Sequence, residues 1–159
     1  DLGAHGMAIM AKRAGIEFES TIQSDCANLS PIVQKLLEHK INIHCLRDLT
    51  RGGLASALNE IAQGAKLTIA IEEAKVPVKE EVASACAMLG FDPLYVANEG
   101  RFVLFVPSQE ASKALEIINQ FSLGLPAQVI GHVTDEPKAL VRLTSVIGAH
   151  RIVDMISGE

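Results

Sequence analysis

Residues 53–74 change periodicity once, without a break between the two patterns. "GLASALNEIAQGA" (53–65) carries Leu54, Leu58, Ile61 and Ala62 on one helical stripe, and "KLTIAIEEA" (66–74) then alternates, with β-branched residues. A 3.6-residue period predicts an amphipathic helix, and a 2-residue period predicts a half-buried strand. Neither element can bury its apolar face alone, so the chain has to layer helices on a sheet.

The same two patterns recur along the chain. Helical spacing predicts helices over 3–15, 30–40, 78–90 and 108–121, with Ser30 as an N-cap, Pro31 in a first turn, and Gly64 and Gly90 as C-caps. Alternating or continuous apolar runs predict strands over 41–48, 100–107, 127–135 and within 139–155, and "IEFESTI" (16–22) reads as a strand or an exposed extended segment. The consecutive strands near the end break the strict β–α alternation of a doubly wound fold. The expected architecture is α+β, a mixed β-sheet packed with helices, with residues 1–159 as a single domain.

Composition narrows the function classes. Apolar residues make up 48% of the chain but aromatics only 4%, with no Trp, so the core must be built from Leu, Ile, Val and Ala. A net charge of −5, with no basic cluster, argues against a nucleic-acid surface. The longest apolar runs are about five residues, far short of the roughly 20 a membrane helix requires. No basic segment followed by an apolar one reads as a secretory signal, and a cytoplasmic protein is expected. Cys26, Cys45 and Cys86 are odd in number and form no C-x-x-C, which fits reduced thiols, and no metal site is expected.

Three stretches could carry chemistry. In "RDLTRGGLASALNEIA" (47–62), Asp48, Thr50, Arg51, Gly52 and Gly53 lie between a strand and a helix. Glycines let backbone approach a ligand, a helix N-terminus offers free N–H groups to an anion, and Arg51 could pair a phosphate. The same residues also suit a plain turn in which Asp48 or Thr50 caps the helix, and both readings stay open. In "YVANEGRFVLFV" (95–106), Asn98 and Glu99 precede a very apolar strand. A partly desolvated carboxylate there would suit proton transfer, while Asn and Gly are also ordinary turn residues. In "DLGAHGMAIMAKR" (1–13), His5 sits at a helix start, as a titratable or a structural group. Asp25 beside Cys26, in "SDCA", supplies no base or cation to activate the thiol.

Taken in order, "DLGAHGMAIMAKRAG", "IQSDCANL", "IHCLRDLTRGGLASALNEIA", "PVKEEVASACAMLGFDPLYVANEGRFV" and "RIVDMISGE" resemble the HypE family of hydrogenase maturation proteins. That family sits in the superfamily of aminoimidazole ribonucleotide synthetase. The resemblance implies the C-terminal domain of that fold, as the C-terminal half of a two-domain protein. The N-terminal ATP-binding domain, which holds most nucleotide and magnesium contacts and builds the homodimer, is absent from these residues. So is the family's C-terminal Cys tail, Pro-Arg-Ile-Cys.

The resemblance further implies an ATP-dependent carbamoyl dehydratase. It converts a thiocarboxamide, placed on the tail Cys by HypF, to a thiocyanate, and the HypC–HypD complex takes the cyanide for [NiFe] hydrogenase. On this footing Glu99 is the expected catalytic residue. Asp48, Thr50, Arg51, Gly52, Gly53, Asn98 and His5 are expected to line the nucleotide side of the cleft. No cofactor is expected in these 159 residues alone, which are expected to be inactive by themselves. A docking platform for the maturation partners, or a relative such as selenophosphate synthetase, are the alternatives. The family turn reads Asp-Pro-Thr-Arg-Gly-Gly, and Leu49 stands here for the Pro. A looser turn is expected from that change.

Overall fold

The computed structural model describes residues 1–15, 22–121 and 123–155. The extended segment expected over 16–22 therefore lies, except for Ile22, outside the described residues. In chain order the elements are α1 (Ala4–Ala14), α2 (Ser30–Glu38), β1 (Cys45–Asp48), α3 (Gly53–Ala65), β2 (Thr68–Glu72), α4 (Glu80–Leu89), β3 (Phe102–Phe105), α5 (Ala111–Ile118), β4 (Gly131–Thr134), β5 (Val141–Thr144) and β6 (His150–Val153).

The strands form two sheets rather than one. β1 and β3 make an antiparallel pair, with Cys45 opposite Phe105 and Asp48 opposite Phe102. The other four run in the order β4-β2-β5-β6, with β2 and β5 parallel and both outer pairings antiparallel. The mixed character expected from the late strands is present.

The helix stripe of 53–65 finds the strand face of 66–74, as their shared apolar faces demand. Leu54, Leu58 and Ala62 pack with Ile69, Ile71, Val141, Leu143 and Val153 in the main core. Leu2, Leu49, Leu94 and, from β3, Val103 join that core. A second cluster joins α1 to α4 through Met7, Val82 and Cys86, and a third joins α2 to α5 through Ile32, Leu36 and Ile117. Burying a Leu or Ile side chain contributes roughly 1.5–3 kcal/mol.

The element ends depart from the sequence reading in a few places. Ser30 does not cap α2; its N–H instead donates to Asn28 Oδ1 at 3.1 Å. α3 runs through Gly64 and ends at Lys66 in the left-handed region, φ 57°, whereas α4 does end at Gly90, φ 75°. β1 begins only at Cys45, because Ile41 turns inward to the α2–α5 cluster. A short 3-10 turn over Ser108–Glu110 precedes α5, where Glu110 Oε2 accepts the Asn42 N–H at 2.7 Å.

Candidate functional site

Four separate segments meet around the turn at residues 96–101: the start of α1, the loop 22–28, the turn before α3, and the entry to β3. Asn98 is the joint. Its side chain is fully buried, its Oδ1 accepts the Gly3 N–H at 2.8 Å, and its Nδ2 donates to Leu49 O and Val96 O at 3.0 Å each. The Asn98 N–H also donates to Leu49 O, and the Gly6 N–H to Ala97 O. Every donor of this amide is thus committed inside the protein, so Asn98 shapes the turn and has no donor left for a ligand.

The α3 turn is built from two successive left-handed glycines, Gly52 at φ 71° and Gly53 at φ 60°. Gly53 also lies so close to the neighbouring 3-10 turn that a Cβ would sit 2.6 Å from Leu94 O and 2.7 Å from Val96 O. The Gly53 N–H donates to Thr50 O. Among the described residues no side chain caps α3, so the capping role considered for Asp48 or Thr50 is not taken up. Asp48 is exposed and lies 3.4 Å from Arg47 Nε. Arg51 is exposed and forms neither a hydrogen bond nor an ion pair among the described residues. It is free to reach outward, next to the uncapped helix start.

Leu49 does not loosen this turn. Its side chain is 3% exposed in the main core, and its N–H donates to Arg101 O at 3.0 Å, a bond a proline cannot make. The expected slackening is therefore corrected: leucine adds an anchor.

Glu99 is exposed at the apex of the 96–101 turn. Burial at the mouth of β3, the ground for expecting a desolvated carboxylate, is not present for this chain by itself. What is fixed is the backbone beneath it. Asp25, 8% exposed, accepts the Glu99 N–H at 2.8 Å and the Gly100 N–H at 3.2 Å through one oxygen, Oδ1. A Cβ at Gly100 would collide with the Asp25 carbonyl, so the two chains touch backbone to backbone. Arg101 Nη1 donates to Gly100 O at 2.8 Å, and its Nη2 and Nε hold Asp1 Oδ1 at 2.6 and 2.8 Å. Burial pulls the Arg101 pKa below the ordinary guanidinium value, against the opposing pull of Asp25.

His5 is half-buried, with Nδ1 2.8 Å from Ser24 Oγ, and Ser24 Oγ also accepts the N–H of the exposed Cys26. His5, the Thr50–Gly53 turn and Asn98–Glu99 thus belong to segments that touch one another. Asp1, Asp25 and Arg101 are the site residues that sequence reasoning missed. Arg101 was visible as the cation entering an apolar strand, but nothing local pointed to its partner. An apolar crevice of about 760 Å³ is lined by β3, by the 123–133 segment and by Asp1 and Arg101. Among the described residues no group of three or more His, Cys, Asp or Glu side chains could hold a metal. No helix among them is long and apolar enough to cross a membrane.

Helices laid on mixed sheets, with an uncapped double-glycine helix start beside a clamped acidic turn, define the domain class. The chain belongs to the family of AIR synthase related proteins, as their C-terminal domain, which matches residues 1–143. Within that class it is similar to carbamoyl dehydratase HypE of Rhodobacter capsulatus, with 47% identity over 158 residues, 99% of this chain and 46% of that protein. It is also similar to a crystal structure of hydrogenase maturation protein HypE in complex with ATP, at TM-score 0.94 and 37% identity, covering 99% of this chain and 49% of that one. A crystal structure of a HypE–HypF complex superposes at TM-score 0.90 with 43% identity, covering 98% and 50%. The chain spans about half the length of the relatives it matches.

Proposed function

We propose that this chain is the C-terminal half of a HypE-type carbamoyl dehydratase. In that reading the whole protein uses ATP to dehydrate a thiocarboxamide on its own C-terminal Cys to a thiocyanate, for cyanide ligand synthesis. The observation that carries it is similarity along this whole chain to half of proteins of that name, together with the Asn98–Leu49 bond that ties the Glu99 turn to the Arg51 turn.

The chemistry follows from the bonds to be changed. The amide oxygen becomes a leaving group when it attacks the γ-phosphorus of ATP and ADP departs. Two N–H protons are then removed, the C–O bond breaks, and phosphate leaves with the oxygen. Such a transfer is mainly positioning and electrostatic stabilisation. Glu99 takes one proton from the amide nitrogen, in a cleft that the other half of the protein covers and dries, and the departing phosphate carries off the other. Arg51, with the Thr50–Gly52–Gly53 backbone and the free N–H groups of α3, faces the phosphates or the tail. Asp48 lies at the rim, His5 forms a polar wall, and Asn98 holds the turn in register. Magnesium is assigned to the phosphates and the N-terminal half.

The partners follow the same reading: HypF as carbamoyl donor, HypC–HypD as cyanide acceptor, and a cytoplasmic homodimer of the full-length protein. The HypE–HypF crystal structure supports the first of these. The test is reconstitution. The full-length protein with a carbamoylated terminal Cys should lose one water from that residue when ATP is added, read by mass spectrometry. These 159 residues alone should not catalyse it in trans. Dehydration by the isolated chain would overturn the division of labour, and a full-length protein with no ATP-dependent water loss would overturn the reading itself.

A further inference from the structure

We propose that Asp25 is the positioning residue of Glu99: its buried carboxylate, on a loop whose backbone carbonyl the Asp1-paired Arg101 also holds, sets the angle at which the turn presents the Glu99 side chain. This rests on Glu99 acting in the dehydration proposed above.

Three observations carry it. First, Asp25 Oδ1 accepts two consecutive amides, those of Glu99 and Gly100, and so fixes the peptide planes on both sides of the Glu99 Cα, from which the side chain leaves. Bonds from amides to an ionised carboxylate are roughly twice as strong as neutral ones. Second, the clamp closes on itself. Arg101 holds Gly100 O and, at 3.4 Å, Asp25 O, while Asp1, whose side chain is 1% exposed, holds Arg101. Third, Gly100 leaves no room for a side chain against Asp25 O, so loop 22–28 and the turn stay in backbone contact.

A stability role alone does not call for this arrangement. The core already anchors the turn through Asn98 and Leu49. The added bonds fall on the residue whose side chain points outward. An exposed, long carboxylate gains catalytic value only if its backbone is held, because a misplacement of about 1 Å can cost on the order of 100-fold in rate. Asp25 Oδ2 is also buried without a partner among the described residues, a cost to stability of the kind that collects at functional sites.

The experiment compares Asp25→Ala, Asp25→Asn, Glu99→Gln and the Asp25→Ala/Glu99→Gln double variant in the full-length protein. Single-turnover thiocyanate formation is measured alongside calorimetric ATP binding. Asp25→Ala should slow dehydration by about 10- to 100-fold with ATP affinity within about 3-fold of the parent. Asp25→Asn keeps an acceptor for the two amides and should recover most of that loss. The double variant should be no slower than Glu99→Gln, since Asp25 acts through Glu99.

Asp25→Ala within 2-fold of the parent, beside an inactive Glu99→Gln, overturns the positioning role and leaves the Glu99 reading standing. A Glu99→Gln variant that turns over normally overturns both. If Asp25→Ala does not fold, Asp25→Asn decides: turnover near the parent is the expected result, and turnover as low as Glu99→Gln overturns the proposal.

Discussion

Asn98→Ala measures how firmly the site turn is tied to the fold. The side chain makes three hydrogen bonds at zero exposure. On truncation Leu49 O keeps the Asn98 N–H, but the Gly3 N–H and Val96 O lose the partner that the side chain supplied. Leaving a buried polar group unsatisfied costs about 1–3 kcal/mol, and the part-buried Val96 O adds less, so the expected loss is about 2–4 kcal/mol. For a chain of this length each kcal/mol moves the melting temperature by roughly 2–4 °C, which puts the expected drop at about 10 °C. Asn98→Asp should be at least as damaging, since it keeps the acceptor for Gly3, removes both donors, and buries a charge. Urea unfolding of this chain reads both, with an unchanged slope showing that the denatured state is not the cause. A loss below about 0.5 kcal/mol for Asn98→Ala would refute the claim that this amide joins α1, Leu49 and the turn.

Other substitutions separate architecture from chemistry. Gly53→Ala should destabilise by about 2 kcal/mol or more, because it forces a Cβ against Leu94 O and Val96 O at φ 60°. Denaturant midpoints check this, and a change under about 0.5 kcal/mol contradicts the close approach. Arg51→Ala should leave stability within about 0.5 kcal/mol yet weaken ATP binding or slow transfer in the full-length protein, since the side chain has no partner among the described residues. Thiol labelling at mildly alkaline pH should modify exposed Cys26 first and leave Cys86 unreacted in the native state. Burial, and then the nearby Asp92 charge, push the Cys86 thiol above its usual range, which withholds the thiolate until higher pH. Labelling of Cys86 at the rate of Cys26 would contradict its place between α1 and α4.

How much of this was legible depends on whether the information is local. The α3–β2 pair was readable because 53–65 and 66–74 announce their own periods, and Gly90 ends α4 where a glycine should. The end of α3 was not, because continued packing of the helix carried it past Gly64 to Lys66. One sheet was expected and two formed, since strand pairing is settled by distant segments rather than by each strand's own alternation. The Arg51 turn and Asn98–Glu99 were marked by their chemistry and by resemblance. Asp25 was passed over as an ordinary neighbour of Cys26, because its partner amide at Gly100 lies 75 residues away. Arg101 and Asp1, 100 residues apart, escaped for the same reason. A pairing across such distances leaves no spacing pattern in a single sequence.

The central claim is that Glu99, held at the apex of the clamped turn, removes a proton from the thiocarboxamide. Glu99→Gln in the full-length, carbamoylated protein tests it most directly, because the amide is nearly isosteric and the side chain is exposed in this chain. The account predicts ATP binding close to that of the parent and no thiocyanate on the terminal Cys. Normal thiocyanate formation by that variant would contradict it.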